Sequence, residues 1–233
     1  MIHVRKQEER RMSHAIHRRT ALAAALSVPA ATALAQAPGP QAFEPTAPGP
    51  DTPRPLPGER IIGLADAPVA VIEYHSLTCG NCANFHTTIF PRIRTAFIEP
   101  GLVRFVMRDF PLDRVALEAA AMVHCGGPER YEALISTLYA NKESWAHSAD
   151  ARTWLRRAGT VAGIPAARID ACMSNRGFTD QILLMRLQGE REFRVDATPS
   201  FVINGQLHRG VQSFERFSAL VRPLLPPGTA PRG

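Results

Sequence analysis

Apolar positions along this chain follow two periods, and the order in which they alternate outlines the fold. Residues 69–75, VAVIEYH, are β-branched and apolar and are introduced by Pro68, which is the composition of a buried strand. Residues 102–108, LVRFVMR, alternate well enough for a second strand, closed by Asp109, Phe110 and Pro111. Between them, Ala83, Phe85, His86, Ile89, Phe90 and Ile93 recur at helical spacing. Pro91 should kink that helix, because its ring removes a donor and crowds the preceding turn. Residues 112–193 change character: 112–125, 128–141, 151–159, 165–175 and 179–194 each carry a helical period with almost no strand signal. Residues 199–203, the turn pair Asn204 and Gly205, and residues 206–209 then have the pattern of a tight hairpin. Ser213 can cap a final helix over 214–225, with Glu215 in its first turn, where the helix dipole favours an acid. The folded region is therefore α/β, with a strand-helix-strand half over 59–111, a helical block over 112–193, a hairpin-helix half over 194–225 and a tail over 226–233.

Composition narrows the class. A chain of 233 residues with 45% hydrophobic and 21% charged residues is globular, and no uncharged apolar run reaches the roughly 18 residues a membrane-crossing helix requires. The formal charge of +6 would point to nucleic acid if it were spread over the fold. It is not: residues 1–35 hold six basic side chains against two acids, and the 21 basic residues beyond are balanced by 19 acids, so no nucleic-acid stripe is expected. A basic stretch, the apolar run 21–35 and the small-x-small site Ala33, Leu34, Ala35 have the layout of a secretory signal peptide, residues 1–35, cleaved after Ala35. Met12 is an alternative start. Arg18 and Arg19 resemble a twin-arginine signal, although Ala21 stands where a bulky apolar side chain is usual, so both export routes stay open. Residues 36–58, rich in proline and glycine and poor in apolar side chains, read as a linker. Export to a periplasm is the expected localisation.

Cys79 and Cys82 carry the candidate chemistry. They stand where the first strand turns into the first helix, so Cys79 meets the unpaired backbone amides of the helix start, which favour thiolate over thiol. Cys79 is then the nucleophile, and Cys82, about one turn deeper, resolves a mixed disulfide by attacking Cys79. A CxxC pair also serves as half of a zinc site or as a structural bridge. Zinc needs further ligands; Cys125 and Cys172 do not form a second CxxC, and His75, His86 and His124 lack metal-site spacing, so redox chemistry without a cofactor is the favoured reading.

Three segments, EYHSLTCGNCANFH, VRFVMRDFPLD and VDATPSFVING, resemble in order the DsbA-like thiol-disulfide oxidoreductases of bacterial cell envelopes. The resemblance spans nearly all of residues 60–221 and implies a thioredoxin fold with an inserted α-helical subdomain. It also implies that Thr198 and Pro199 face the active-site disulfide, with the proline cis. Glu73, six positions before the first cysteine, takes the place of an acid that moves a proton to and from Cys82, a task suited to a carboxyl in an apolar strand. A strand-edge glutamate facing water is the other reading. The strongly oxidising members usually have CPHC; here Gly80 and Asn81 stand between the cysteines, and neutral Asn81 cannot supply an imidazole to the thiolate, so a less oxidising couple is expected. The implied activity is donation of a disulfide to newly exported cysteine-containing proteins, with recharging by a quinone-linked membrane partner. A reductase or isomerase kept reduced by a membrane electron donor is the second reading. A binding module, with a structural or copper- or zinc-holding CxxC, is the third.

Cys125 and Cys172, even in number in an oxidising compartment, are expected to pair and staple the helical block, two separately buried thiols being the alternative. Trp145 and Trp154 read as core or interface residues, and Arg108 with Asp109 as a pair fixing the end of the second strand. His86 reads as a solvated surface histidine in preference to one facing Cys82. The Pro-rich linker offers no dimerisation segment, and a monomer is expected.

Overall fold

Buried apolar faces on both sides of a central strand pair organise the molecule. The computed structural model describes residues 59–210 and 213–229; the expected signal peptide, its cleavage site and the linker lie outside the described residues. Five strands, β1 (Arg60–Ile62), β2 (Val69–His75), β3 (Val103–Asp109), β4 (Ser200–Ile203) and β5 (Gln206–Arg209), form one sheet in the order β1-β3-β2-β4-β5. β2 and β3 are parallel, with Val71 opposite Phe105 and Glu73 opposite Met107, and the other pairings are antiparallel. Six of the seven residues of β2 are buried, as a strand covered on both faces requires. The period of two sends Val71 to one face, with Phe85, Phe105 and Phe201, and Ile72 and Tyr74 to the other, with Val106, Phe110 and Val202.

The helix after β2 is not simply kinked at Pro91. It runs as α1 (Gly80–Asn84), a π turn (Phe85–Ile89), α2 (Phe90–Ile93) and a second π turn (Arg94–Ile98). Phe90 N–H bonds back to Phe85, one residue further than an α-helix allows, so the register slips just before the residue that lacks a donor. Six helices separate β3 from β4: α3 (Arg114–Cys125), α4 (Pro128–Ala140), α5 (Lys142–Trp145), α6 (Ala151–Val161), α7 (Ala166–Ser174) and α8 (Arg176–Phe193). Caps set their starts: Asp113 accepts from Ala116 N at 2.7 Å, and Asn175 accepts from Phe178 N at 3.1 Å, which begins α8 three residues before the periodicity does. α9 (Phe214–Val221) is capped by Ser213 and stops before Arg222–Leu224, a 3₁₀ turn holding Pro223, so it is shorter than the expected 214–225. Asn204 and Gly205 both adopt positive φ, at 49° and 76°, as a type I′ hairpin turn demands.

Cys125 and Cys172 are disulfide-bonded across α3 and α7, with Cα atoms 6.1 Å apart. Trp145 is fully buried and stacks on Trp154 at 5.9 Å, within the helical block. Arg108 and Asp109 do not pair with each other as expected. Successive β residues point to opposite faces, and each finds its own partner: Arg108 Nη2 lies 2.7 Å from Glu59 and Nη1 donates to the Tyr74 hydroxyl, while Asp109 lies 2.5 Å from His124 Nε2. No helix of the described residues is long and apolar enough to cross a membrane.

Candidate active site

Cys79 occupies the cap position of α1, in extended conformation, with Ala83 N–H bonded to its carbonyl. The chain enters from Ser76 and Thr78, and Thr78 Oγ1 donates to Asp113 Oδ2 at 2.8 Å, tying this loop to the start of α3. Cys79 is partly exposed and its thiol donates to the Thr198 carbonyl at 3.3 Å. The Cys79 thiol is lowered to about 5, first by the hydrogen bond from Cys82; partial burial opposes this, and the Thr198 side chain and the Cys82 and Asn81 backbone amides add to it. The Thr198 hydroxyl is buried and has no hydrogen-bond partner among the described residues. The Thr198–Pro199 peptide is cis. The stem of Lys142 lies over the same turn: a Cβ on Gly80 would sit 3.7 Å from Lys142 Cε.

Cys82 is the opposite kind of thiol. It is fully buried, and burial pushes it well above the ordinary value, with the bond to Cys79 and the charge of Glu73 acting in the same direction. The two sulfurs thus differ in exposure and acidity in the way a nucleophile and a resolving thiol must.

Glu73 does not face water at a strand edge. It is fully buried in β2, with β3 on one side and β4 on the other, and the strand period places it on the Val71 face, toward α1. Its Oε2 lies 2.8 Å from Nε2 of His86. This overturns the reading of His86 as a solvated residue: its side chain is 5% exposed and its ring stacks on Tyr139 at 4.6 Å and 14°. The π turn holds His86 over the sheet, and nothing in a one-dimensional helical period signals that. Spacing also missed the polar cluster beyond it. His75 Nδ1 meets the Tyr139 hydroxyl at 2.8 Å, and His75 Nε2 lies 3.8 Å from Asp109, which His124 also contacts. Burial lowers His75; for Asp109 burial acts upward, but the His124 charge and hydrogen bond outweigh it and hold the carboxyl low. No cluster of three or more His, Cys, Asp or Glu side chains among the described residues is arranged to hold a metal.

A family model described as Thioredoxin matches residues 56–222. The crystal structure of Wolbachia pipientis alpha-DsbA1 is 28% identical and superposes with a TM-score of 0.68, over 73% of this chain and 92% of that one. The structure of oxidised BdbD from Bacillus subtilis, 18% identical, shares the fold with a TM-score of 0.65 over 72% of this chain and 92% of that one. A Rickettsia felis protein, provisionally named a protein-disulfide oxidoreductase, is 27% identical over 164 residues, which are 70% of this chain and 59% of that relative. The chain thus spans well under two thirds of the length of that relative.

Proposed function

Because the chain belongs to the thioredoxin family, in its DsbA-like form, we propose that it is an exported thiol-disulfide oxidoreductase that introduces disulfides into envelope or secreted proteins. The observation that carries this reading is the asymmetry of the pair: an accessible Cys79 lowered to about 5 beside a sealed Cys82 held well above the ordinary value. A substrate thiolate attacks Cys79 Sγ of the oxidised protein, the Cys79–Cys82 bond breaks, and Cys82 leaves with the electron pair and gains a proton. A second substrate thiolate then attacks the substrate sulfur of the mixed disulfide and releases Cys79 as a thiolate. The substrate dithiol is oxidised, the protein disulfide is reduced, and no cofactor is needed. Lowering the Cys79 thiol stabilises the reduced product and so drives the transfer forward. Thr198 and Pro199 serve as the wall on which substrate lies against Cys79, and Glu73 exchanges the Cys82 proton.

A periplasmic site follows from the signal-like residues 1–35, and a quinone-linked membrane oxidase would restore the disulfide. The second reading, a reductase or isomerase fed by a membrane reductant, is favoured by one observation: Gly80 and Asn81 put no imidazole between the cysteines.

The test is transfer itself. Oxidised protein mixed with a reduced, unfolded, cysteine-containing protein should hand over one disulfide per molecule, and Cys79→Ser should abolish transfer; reduced Cys82→Ser, offered a disulfide-bonded protein instead, should attack that disulfide through Cys79, release one partner thiol and accumulate the mixed disulfide. Trapping through Cys82 in Cys79→Ser, or transfer that survives Cys79→Ser, contradicts the proposal.

A further inference from the structure

Glu73 is sealed within the sheet, with no exposed surface and with Met107 and Phe201 as its neighbours across the strands. A carboxyl that gives a proton to Cys82 in one half-reaction and takes it back in the other has to be connected to water, because an isolated buried charge is too costly to leave behind. Among the described residues, Glu73 has one hydrogen-bond partner, Nε2 of His86 at 2.8 Å; its Oε1 has none. The imidazole is fixed in place. It stacks on Tyr139, and the rings of Phe85 and Phe90 lie 5.3 and 5.0 Å from its centre. It also sits in the π turn, where the slipped register aims a side chain away from its α-helical direction. The His86 side chain keeps 5% exposure where that of Glu73 has none, so of the two hydrogen-bonded groups the histidine is the one open to water.

We propose that His86 is the proton conduit between solvent and Glu73, a positioning residue that serves the Cys82 step by acting through that carboxyl. The inference rests on the exchange reaction above. When substrate thiolate breaks the Cys79–Cys82 bond, Cys82 leaves with the electron pair and takes its proton from the Glu73 carboxyl; Nε2–H of His86 replaces that proton while Nδ1 takes one from water, so the imidazole changes tautomer and stays neutral. In reoxidation the Cys82 proton passes to the Glu73 carboxylate and out through His86. The two electrons move among sulfur atoms only. The other ionisable groups near this pair do not open a second route: His75 is fully buried and engages Tyr139 and Asp109, and the Tyr131 and Tyr139 hydroxyls are held well above their ordinary range by burial.

The experiment mixes reduced protein with oxidised glutathione and follows two phases, formation of the Cys79 mixed disulfide and release of the second glutathione when Cys82 attacks. His86→Gln keeps a hydrogen-bond donor near Glu73 but cannot pass a proton on. The first phase should stay within about twofold of wild type and the second should slow by about tenfold or more, toward the lower end of what a positioned acid-base group supplies. A second measurement needs no variant: the rate of the second phase in mixtures of light and heavy water should curve as two protons in flight require, and in His86→Gln the plot should become linear. Equal slowing of both phases would mark a merely structural role, and an unchanged second phase or a linear plot for wild type would overturn the conduit. Absence of both phases in wild type would instead refute the exchange reaction.

Discussion

At the scale of single residues, the account stands on one sulfur made acidic and a second one sealed. Iodoacetamide labels thiolate, so the labelling rate of Cys79 should be flat above neutrality and fall with a midpoint near pH 5. A midpoint near the ordinary thiol value of about 8.5 would contradict the hydrogen-bond pattern around Cys79. The same lowering makes a stability statement. Unfolding returns the thiol to about 8.5, so between pH 5 and that value the unfolded chain binds the extra proton and the reduced fold gains stability as pH rises, losing it again as pH falls through about 5. Cys82, raised by burial, stays a thiol in the fold and ionises in the unfolded chain only near 8.5, so it takes back a little of this gain only at the top of the window. The urea midpoint of the reduced protein, measured against that of the oxidised protein, should therefore climb from pH 5 to 8. A flat difference contradicts the lowered thiol. Glu73→Gln should leave the alkylation profile of Cys79 in place and slow the Cys82-dependent step by at least about tenfold, since positioned proton transfer commonly contributes more than that; unchanged turnover from pH 5 to 8 would make Glu73 structural only.

Elements carry these residues, and much of their order was legible. VAVIEYH reads as a buried strand because β-branched side chains run without a break, and Asn204-Gly205 reads as a hairpin turn because both positions need positive φ. β1 and α5 were not legible: three and four residues are too few for any period to register. The place of Cys79 at a helix start was open to reasoning from spacing, but the pairing of Glu73 with His86 was not, because the two stand thirteen residues apart on different elements and meet only through the π turn. The closeness of α8 to the sheet was equally hidden. A Cβ at Gly189 would lie 2.5 Å from Tyr74 Cε1, so only glycine lets that helix seat against β2. Gly189→Ala should destabilise the fold by about 1–3 kcal/mol despite the better helix propensity of alanine, as overpacking does; a urea midpoint at or above wild type would show that α8 has room to shift. Asp113→Ala removes both the cap of α3 and the partner of Thr78, and should cost about 0.5–2 kcal/mol. Circular dichroism through a denaturant series checks it, and no loss would remove the cap from the account.

For the whole molecule, a mixed sheet presents one sulfur and hides the other, while the block from α3 to α8 packs beside the cysteine turn through Asp113 and Lys142 and is joined to itself between Cys125 and Cys172. We propose that this bond is a staple outside the exchange reaction. It spans 47 residues, and closing a loop of that length removes unfolded-state entropy worth roughly 4 kcal/mol in the chain model. Replacing both cysteines by alanine should therefore lower stability by about 2–4 kcal/mol without moving the alkylation midpoint of Cys79; a shift of that midpoint would tie the second pair to the redox site. The direction of exchange is a property of the molecule as a whole, and the equilibrium reduction potential of Cys79 and Cys82 against glutathione measures it. A thiol at about 5 falls between the roughly 7 of thioredoxin and the roughly 3.5 of DsbA, so the potential should fall between theirs, near the middle of the interval from about −270 to −120 mV. A value near the thioredoxin figure of about −270 mV would contradict the assignment as a disulfide donor.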